Sequence, residues 1–237
     1  MIRLASYNIR KAVGLDWRRD PFRTARVIAA LDADIVALQE ADKRLGNRPA
    51  ALPPEAVAET GLVPLAAADG PSLGWHGNAV LLRPHWRARE VHRVNLPGVE
   101  PRGALVAEID TPAGPLILAA THLGLDRFSR QRQIRAILDA IGPDRAERAV
   151  IAGDLNEWSP TRGMRPLERD FDVVAPGPSF HAARPVAPLD RVALGRRWQA
   201  LEGGVFDAHL ALRASDHLPV WVRIAPVTDR RPGTRSP

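Results

Sequence analysis

The chain opens with Ile2, Leu4 and Ser6 alternating against Arg3, Ala5 and Tyr7, and this period of two predicts a strand ending at Asn8. Asp20 then reads as a helix cap with Pro21 at the first helical position. Phe22, Ala25, Ile28, Ala29 and Leu31 follow at helical spacing and form one apolar face that must pack on a sheet. Residues 35–39 are a short apolar strand. A second helix is predicted over 54–60 with Gly61 as its stop, and strands follow near 62–66 and 78–82.

Strands alone come next, at 88–94, 104–109 and 116–121. Pro97-Gly98 and Pro112-Ala113-Gly114 separate them, as in an antiparallel meander. A helix returns over 128–141 and is closed by Gly142-Pro143. Strands at 150–152, 189–194, 198–205 and 220–224 complete the series. Helices interspersed with two runs of strands predict two packed sheets with helices outside, a layered α/β sandwich.

At 237 residues, with 45% apolar and 25% charged residues, the chain suits one globular domain, expected over residues 1–225. The last twelve residues, 226–237, carry Pro232, Gly233 and Pro237 among arginines and are expected to be disordered. The chain has no cysteine, which excludes disulfides and thiolate zinc sites, so any metal must be held by oxygen or imidazole. No secretory signal pattern and no bilayer-length apolar run is present, and a cytoplasmic location is the default expectation. The net charge of +6 is almost all arginine, since Lys11 and Lys43 are the only lysines; it would steer phosphate-bearing partners toward the protein.

Several predicted strands end alike, delivering a polar residue into the following loop: Tyr-Asn8, Leu-Gln-Glu40, Thr-His122-Leu and Gly-Asp154-Leu-Asn156. Ser-Asp216-His217 sits just before the final strand. Singly, each has a plain reading as a turn former, loop cap or satisfied core imidazole. Together they are carboxylates, amides and imidazoles carried to strand ends, where a rigid scaffold meets solvent.

These five motifs resemble those of the endonuclease/exonuclease/phosphatase superfamily, and they span nearly the whole chain. The resemblance implies a four-layered αββα sandwich of the DNase I type, with two mostly antiparallel sheets flanked by helices. It also implies Mg²⁺-dependent attack of water on phosphorus, with Mn²⁺ as a substitute, through one metal or two. Carried over by motif, Glu40 resembles the main metal-ligating carboxylate, with Asn8 beside it and Asp216 as a further ligand, direct or through water. Such hard oxygen donors suit Mg²⁺. Asp154, with Asn156 holding it or the phosphate, resembles the residue that orients and deprotonates the water. His217 resembles the imidazole on the scissile phosphate, Asp190 its tautomer-fixing partner, and His122 a second donor to the phosphate oxygens. Asn78 and Arg102 match substrate-contacting positions. Histidines 76, 85, 92, 181 and 209 are expected to be structural or exposed.

The motifs specify the superfamily rather than the substrate. Trp17, Trp75 and Trp158 fall in loops near the expected site, where indole could stack on a base, rest on a sugar, sit in a lipid interface or simply anchor its loop. Arg10, Lys11, Arg102 and Arg162 could form an anion-binding rim, whereas Arg127, Arg130, Arg132 and Arg135 read as a solvated helix surface. Three functions follow. The first is a phosphodiesterase acting on a lipid headgroup or small-molecule diester, with peripheral membrane contact; the second is a nuclease or abasic-site endonuclease. The third, a noncatalytic phosphate-binding module, sits poorly with the presence of Glu40, Asp154 and His217 together.

Overall fold

The first strand, β1 (Ile2–Asn8), is covered on both sides, so its alternation separates one core from another rather than core from solvent. Ile2 and Leu4 enter the apolar layer between two sheets, while Ala5 and Tyr7 enter the layer under the helices. The computed structural model describes residues 1–43, 46–66, 70–159 and 163–227.

After β1 come α1 (Pro21–Ala30), β2 (Ile35–Gln39), α2 (Pro54–Glu59), β3 (Val63–Pro64) and β4 (Ala79–Leu82). The meander β5 (Arg87–Leu96), β6 (Arg102–Thr111) and β7 (Gly114–His122) leads into α3 (Arg127–Ile141) and β8 (Ala149–Asp154). The chain closes with α4 (Arg165–Glu168), β9 (Phe171–Val174), β10 (Asp190–Gly195), β11 (Trp198–Val205), α5 (Ala211–Ala214) and β12 (Val220–Pro226). Asp20 caps α1 by accepting from the Arg23 N–H, and Asp126 does the same for α3 through Ser129.

Two six-stranded sheets result, ordered β11-β12-β1-β2-β4-β3 and β5-β6-β7-β8-β10-β9. Each is antiparallel except at one central pair, β1 with β2 and β7 with β8, joined by α1 and α3 respectively. Leu4, Ile35, Leu105, Leu118, Val150 and Val222 fill the space between the sheets. The helices α1 and α2 cover the first sheet through Val27, Ile28, Leu31 and Val57, and α3 covers the second through Ile134, Ile137 and Ile141. The layers are therefore αββα, and each fully buried Leu or Ile contributes about 1.5–3 kcal/mol by leaving water.

The strand expected over 62–66 shrinks to Val63–Pro64, after which the Leu65 N–H still donates to the Val80 carbonyl at 2.8 Å. The pattern did not announce α4 or β9; both are four residues long and owe their form to neighbours rather than to periodicity. At the carboxyl end β12 runs through Pro226, and the Val227 N–H donates to the Arg197 carbonyl at 2.8 Å, so pairing passes the expected boundary at 225. The rest of the expected disordered tail, 228–237, lies outside the described residues, as does Arg162.

Candidate active site

Parallel strands end where their antiparallel neighbours begin, and this topology concentrates the polar residues at one end of the sandwich. β1, β2, β7 and β8 finish there with Asn8, Gln39, His122 and Asp154, while β6 and β10 start there with Arg102 and Asp190. Register makes the pairing specific: Asp154 is the Cα partner of His122 on one side and of Asp190 on the other. Gly153 permits this approach, since its φ is +156° and a Cβ there would overlap the Thr121 carbonyl oxygen.

A buried cluster forms around Asp154. Its Oδ2 accepts from Asn8 Nδ2 at 3.0 Å and lies 3.3 Å from His122 Nε2 and 3.6 Å from His217 Nε2. Its Oδ1 accepts from the Asn156 N–H at 3.0 Å. Behind His217, Nδ1 stands 2.8 Å from Asp190 Oδ2, which also accepts from Ser179 Oγ at 2.6 Å. Burial opposes a charge on His217, but Asp190, then Asp154, and the hydrogen bond to Asp190 outweigh it and raise its pKa from 6.5 to about 10. His217 is thus an imidazolium at neutral pH, with both ring nitrogens as donors. The oxygens and nitrogens of Asp154, Asp190 and His217 fall within 4.8 Å of one another, a spacing that could suit a metal. Asp190 is hydrogen-bonded to His217 Nδ1, while Asp154 Oδ2, 3.6 Å from Nε2, attracts the ring by charge rather than by a hydrogen bond.

Beside this cluster opens a cleft of ≈ 190 Å³, lined by Lys11, Glu40, Arg48, His76, Arg102 and His122 among others. His122 belongs to both groups and joins them. Glu40 sits at φ +52°, and Arg10, Lys11 and Ala12 at φ 45°, 57° and 59° make a left-handed turn that bulky residues rarely adopt. The Lys11 N–H donates to the Glu40 carbonyl, and the Lys11 ammonium contacts the Glu40 carboxylate. Asp216 accepts from Ser215 Oγ at 3.3 Å and pairs with Arg10 at 3.4 Å, while Ser215 Oγ also donates to the Asn8 carbonyl. Glu40 lines the cleft, while the buried Asn8 and the partly buried Asp216 lie behind it, and each of the three has an oxygen beside a cationic or N–H donor.

A model of the Endonuclease/Exonuclease/phosphatase family matches residues 5–217, which takes in every motif from Asn8 to His217. The chain belongs to this family. Among curated proteins it is 31% identical over 162 residues to the uncharacterized protein YbhP of Escherichia coli (strain K12), a match covering 64% of this chain and 63% of YbhP. The match thus spans less than two thirds of that relative's length. The crystal structure of an endonuclease/exonuclease/phosphatase from Beutenbergia cavernae superposes with a TM-score of 0.71 at 24% identity, covering 95% of this chain and 71% of that one. A mannosyl-6-phosphatase of Bacteroides thetaiotaomicron gives 0.71 at 15% identity, covering 95% and 100%. These two likenesses concern the fold.

Other residues of this family member depart from their expected settings. Asn156 keeps Asp154 in place through its backbone N–H, but its side-chain Nδ2 donates to the Leu123 carbonyl and pins the neighbouring loop. Asn78 is buried and its Nδ2 donates to the carbonyls of Trp75 and Gly103, so its amide ties the two sheets together. Arg102 is buried rather than superficial and pairs with Glu100 at 2.6 Å along the cleft wall. Arg130 is not part of a solvated helix face; it is buried and pairs with buried Glu157 at 2.8 Å.

His76 also departs from the structural-or-exposed expectation, since it lines the cleft. Its Nδ1 lies 3.0 Å from Arg48 Nη1, and because guanidinium only donates, Nδ1 accepts. Burial first, and then Arg48, lower its pKa. Arg48 is in turn aligned by buried Asp42 at 3.0 and 3.3 Å. Asp42 lies two residues after Glu40 and His76 two before Asn78, but Arg48, which joins them, adjoins none of the motifs.

Proposed function

We propose that this protein is a divalent-metal-dependent phosphoesterase, a phosphodiesterase acting on a lipid headgroup or small-molecule diester. The observation that carries the proposal is the meeting of Asp154 Oδ2 with the Nε2 atoms of His122 and His217 beside Asn8. In this reading Asp154 orients the attacking water and takes its proton, held by the Asn156 N–H and Asn8 Nδ2. The His217 imidazolium and His122 donate to phosphate oxygens as negative charge spreads over them, and Asp190 keeps His217 charged and aimed. Arg102 adds a fixed positive charge on the cleft wall.

Glu40, with Asn8 and Asp216, would hold Mg²⁺ or Mn²⁺, the metal taking the place of the Lys11 ammonium beside the Glu40 carboxylate. Bound there, the metal would polarise a phosphate oxygen or stabilise the leaving oxygen. The cleft holds ≈ 190 Å³, room for a compact ester. The competing reading, a nuclease, is tested in the same experiment: glycerophosphodiesters and lipid vesicles against plain and abasic duplex DNA, with Mg²⁺, Mn²⁺ or EDTA and Asp154→Ala as control. Turnover confined to DNA would replace the proposal with the nuclease; metal-independent turnover would remove the cation from it.

A further inference from the structure

Among the described residues, eleven large apolar side chains are exposed, and six of them stand at the active-site end of the sandwich. Scattered surface hydrophobics are ordinary, but their gathering at one end is not. The topology defines that end. Trp17 follows β1, Leu125 follows β7 and Phe128 opens α3; Trp158 follows β8, Val99 bridges β5 and β6, and Val186 precedes β10. Trp17 is 77% exposed, Phe128 70%, Leu125 67% and Trp158 58%, so these are projecting tips rather than shallow core residues.

Cations are interleaved with them. The Arg10 guanidinium lies 4.5 Å from the Trp17 ring centroid and Arg132 5.7 Å from that of Phe128, while Arg18, Arg127 and Arg184 are exposed in the same loops. Asp16, next to Trp17 in sequence, is engaged by Arg23 at 2.7 Å, Arg10 is paired with Asp216 at 3.4 Å, and Asp126 is engaged as the cap of α3.

We infer that the rim of the active site docks on an anionic lipid surface, with the aromatic and aliphatic tips entering the interface and the arginines meeting the headgroups. Indole favours the boundary between water and hydrocarbon, and arginine near anionic headgroups adds attraction while its stem stays apolar. Aromatic tips alone could also serve as stacking platforms for single-stranded nucleic acid, but Val99, Leu125 and Val186 offer no ring to stack and suit a hydrocarbon interface. Docking in this orientation brings the cleft to the membrane. The inference rests on the proposed phosphoesterase reading for its purpose, but the binding itself needs no turnover.

The test is cosedimentation of the full chain, in EDTA, with phosphatidylglycerol-containing vesicles and with phosphatidylcholine vesicles. Quenching of tryptophan fluorescence by brominated lipid is the second readout. The expected result is binding that prefers the anionic vesicles, with quenching, and a fall of at least about tenfold in partition for the double variant Leu125→Ser/Phe128→Ser. Hydrolysis of a soluble diester by that variant should equal wild type, which separates a failure of docking from a failure of catalysis. Absence of vesicle binding, undiminished binding of the variant, or retention by duplex DNA in place of vesicles would overturn the inference.

Discussion

Oδ2 of Asp154 lies 3.3 Å from Nε2 of His122, across two adjacent parallel strands in which these residues are register partners. Residues 32 positions apart in the chain are thereby held by the sheet ladder itself rather than by mobile loops. A group preorganised to this degree works by position, and Asp154→Ala should fold yet lose at least about a hundredfold in turnover. Thermal unfolding within a few degrees of wild type, together with that loss in a steady-state assay, is the expected pair of results. Unchanged turnover would remove Asp154 from the chemistry.

Much of this arrangement was legible in the chain because strand ends carry their own signature: apolar residues that stop abruptly at Asn8, Glu40, His122 and Asp154. Helix starts were equally plain at Asp20-Pro21. What pattern could not show is which side chains spend their hydrogen bonds on backbone. Asn78 and Asn156 look alike as loop amides, yet each Nδ2 is committed to carbonyls from segments distant in sequence. Arg130 sits in a run of arginines at mixed helical positions, and only the packing of the 157–159 segment against α3 buries it. His76 joins the cleft because Arg48, 28 residues earlier, reaches it. Long-range pairing of this kind leaves no local period to read.

Glu40 and Lys11 should respond to substitution with opposite signs. Glu40→Gln removes one negative oxygen donor and should raise the Mg²⁺ concentration for half-maximal rate by on the order of tenfold, with partial rescue at high Mg²⁺. Lys11→Met removes the ammonium that competes for the same carboxylate and should tighten Mn²⁺ binding measured directly by calorimetry. Equal affinities in wild type and both variants would place the cation elsewhere.

Gly153 is a steric requirement of the site. Any side chain there meets the Thr121 carbonyl, and the left-handed φ adds to the cost. Gly153→Ala should lose at least about 3 kcal/mol by urea unfolding, or fail to accumulate as soluble protein. A stable, active variant would mean that β7 and β8 do not approach as closely as described.

Arg130 and Glu157 are both buried and mutually paired, and Arg130 also donates to the Leu125 carbonyl at 2.5 Å. Truncating one partner strands the other charge away from water, so Arg130→Met or Glu157→Ala should each cost about 3–5 kcal/mol. The double variant should recover part of the Glu157→Ala loss, because Arg130 is no longer left unpaired and no longer repels buried Arg191. Additive losses in the three unfolding curves would argue that the two side chains act independently.

The Asp190–His217 pair makes stability depend on pH in a definite direction. The pKa of His217 in the fold, about 10, stands above its unfolded value of 6.5, so the folded chain holds a proton there that the unfolded chain releases. The contribution is complete below pH 6.5 and is lost as pH climbs toward 10. Asp190→Asn removes the nearest negative charge while burial and the lesser attraction of Asp154 and Asp216 remain, so the pKa should fall toward its unfolded value. In EDTA, the urea midpoint of wild type should decline across that window, and the decline should be shallower in Asp190→Asn. Nitrogen-15 shifts of the His217 ring should report the imidazolium persisting above pH 7 only in wild type. Turnover should fall with it, since a neutral ring offers one donor where the developing phosphate charge calls for a cation. Identical midpoint slopes, or a wild-type ring that titrates near 6.5, would show that Asp190 fixes the position of His217 without sustaining its charge.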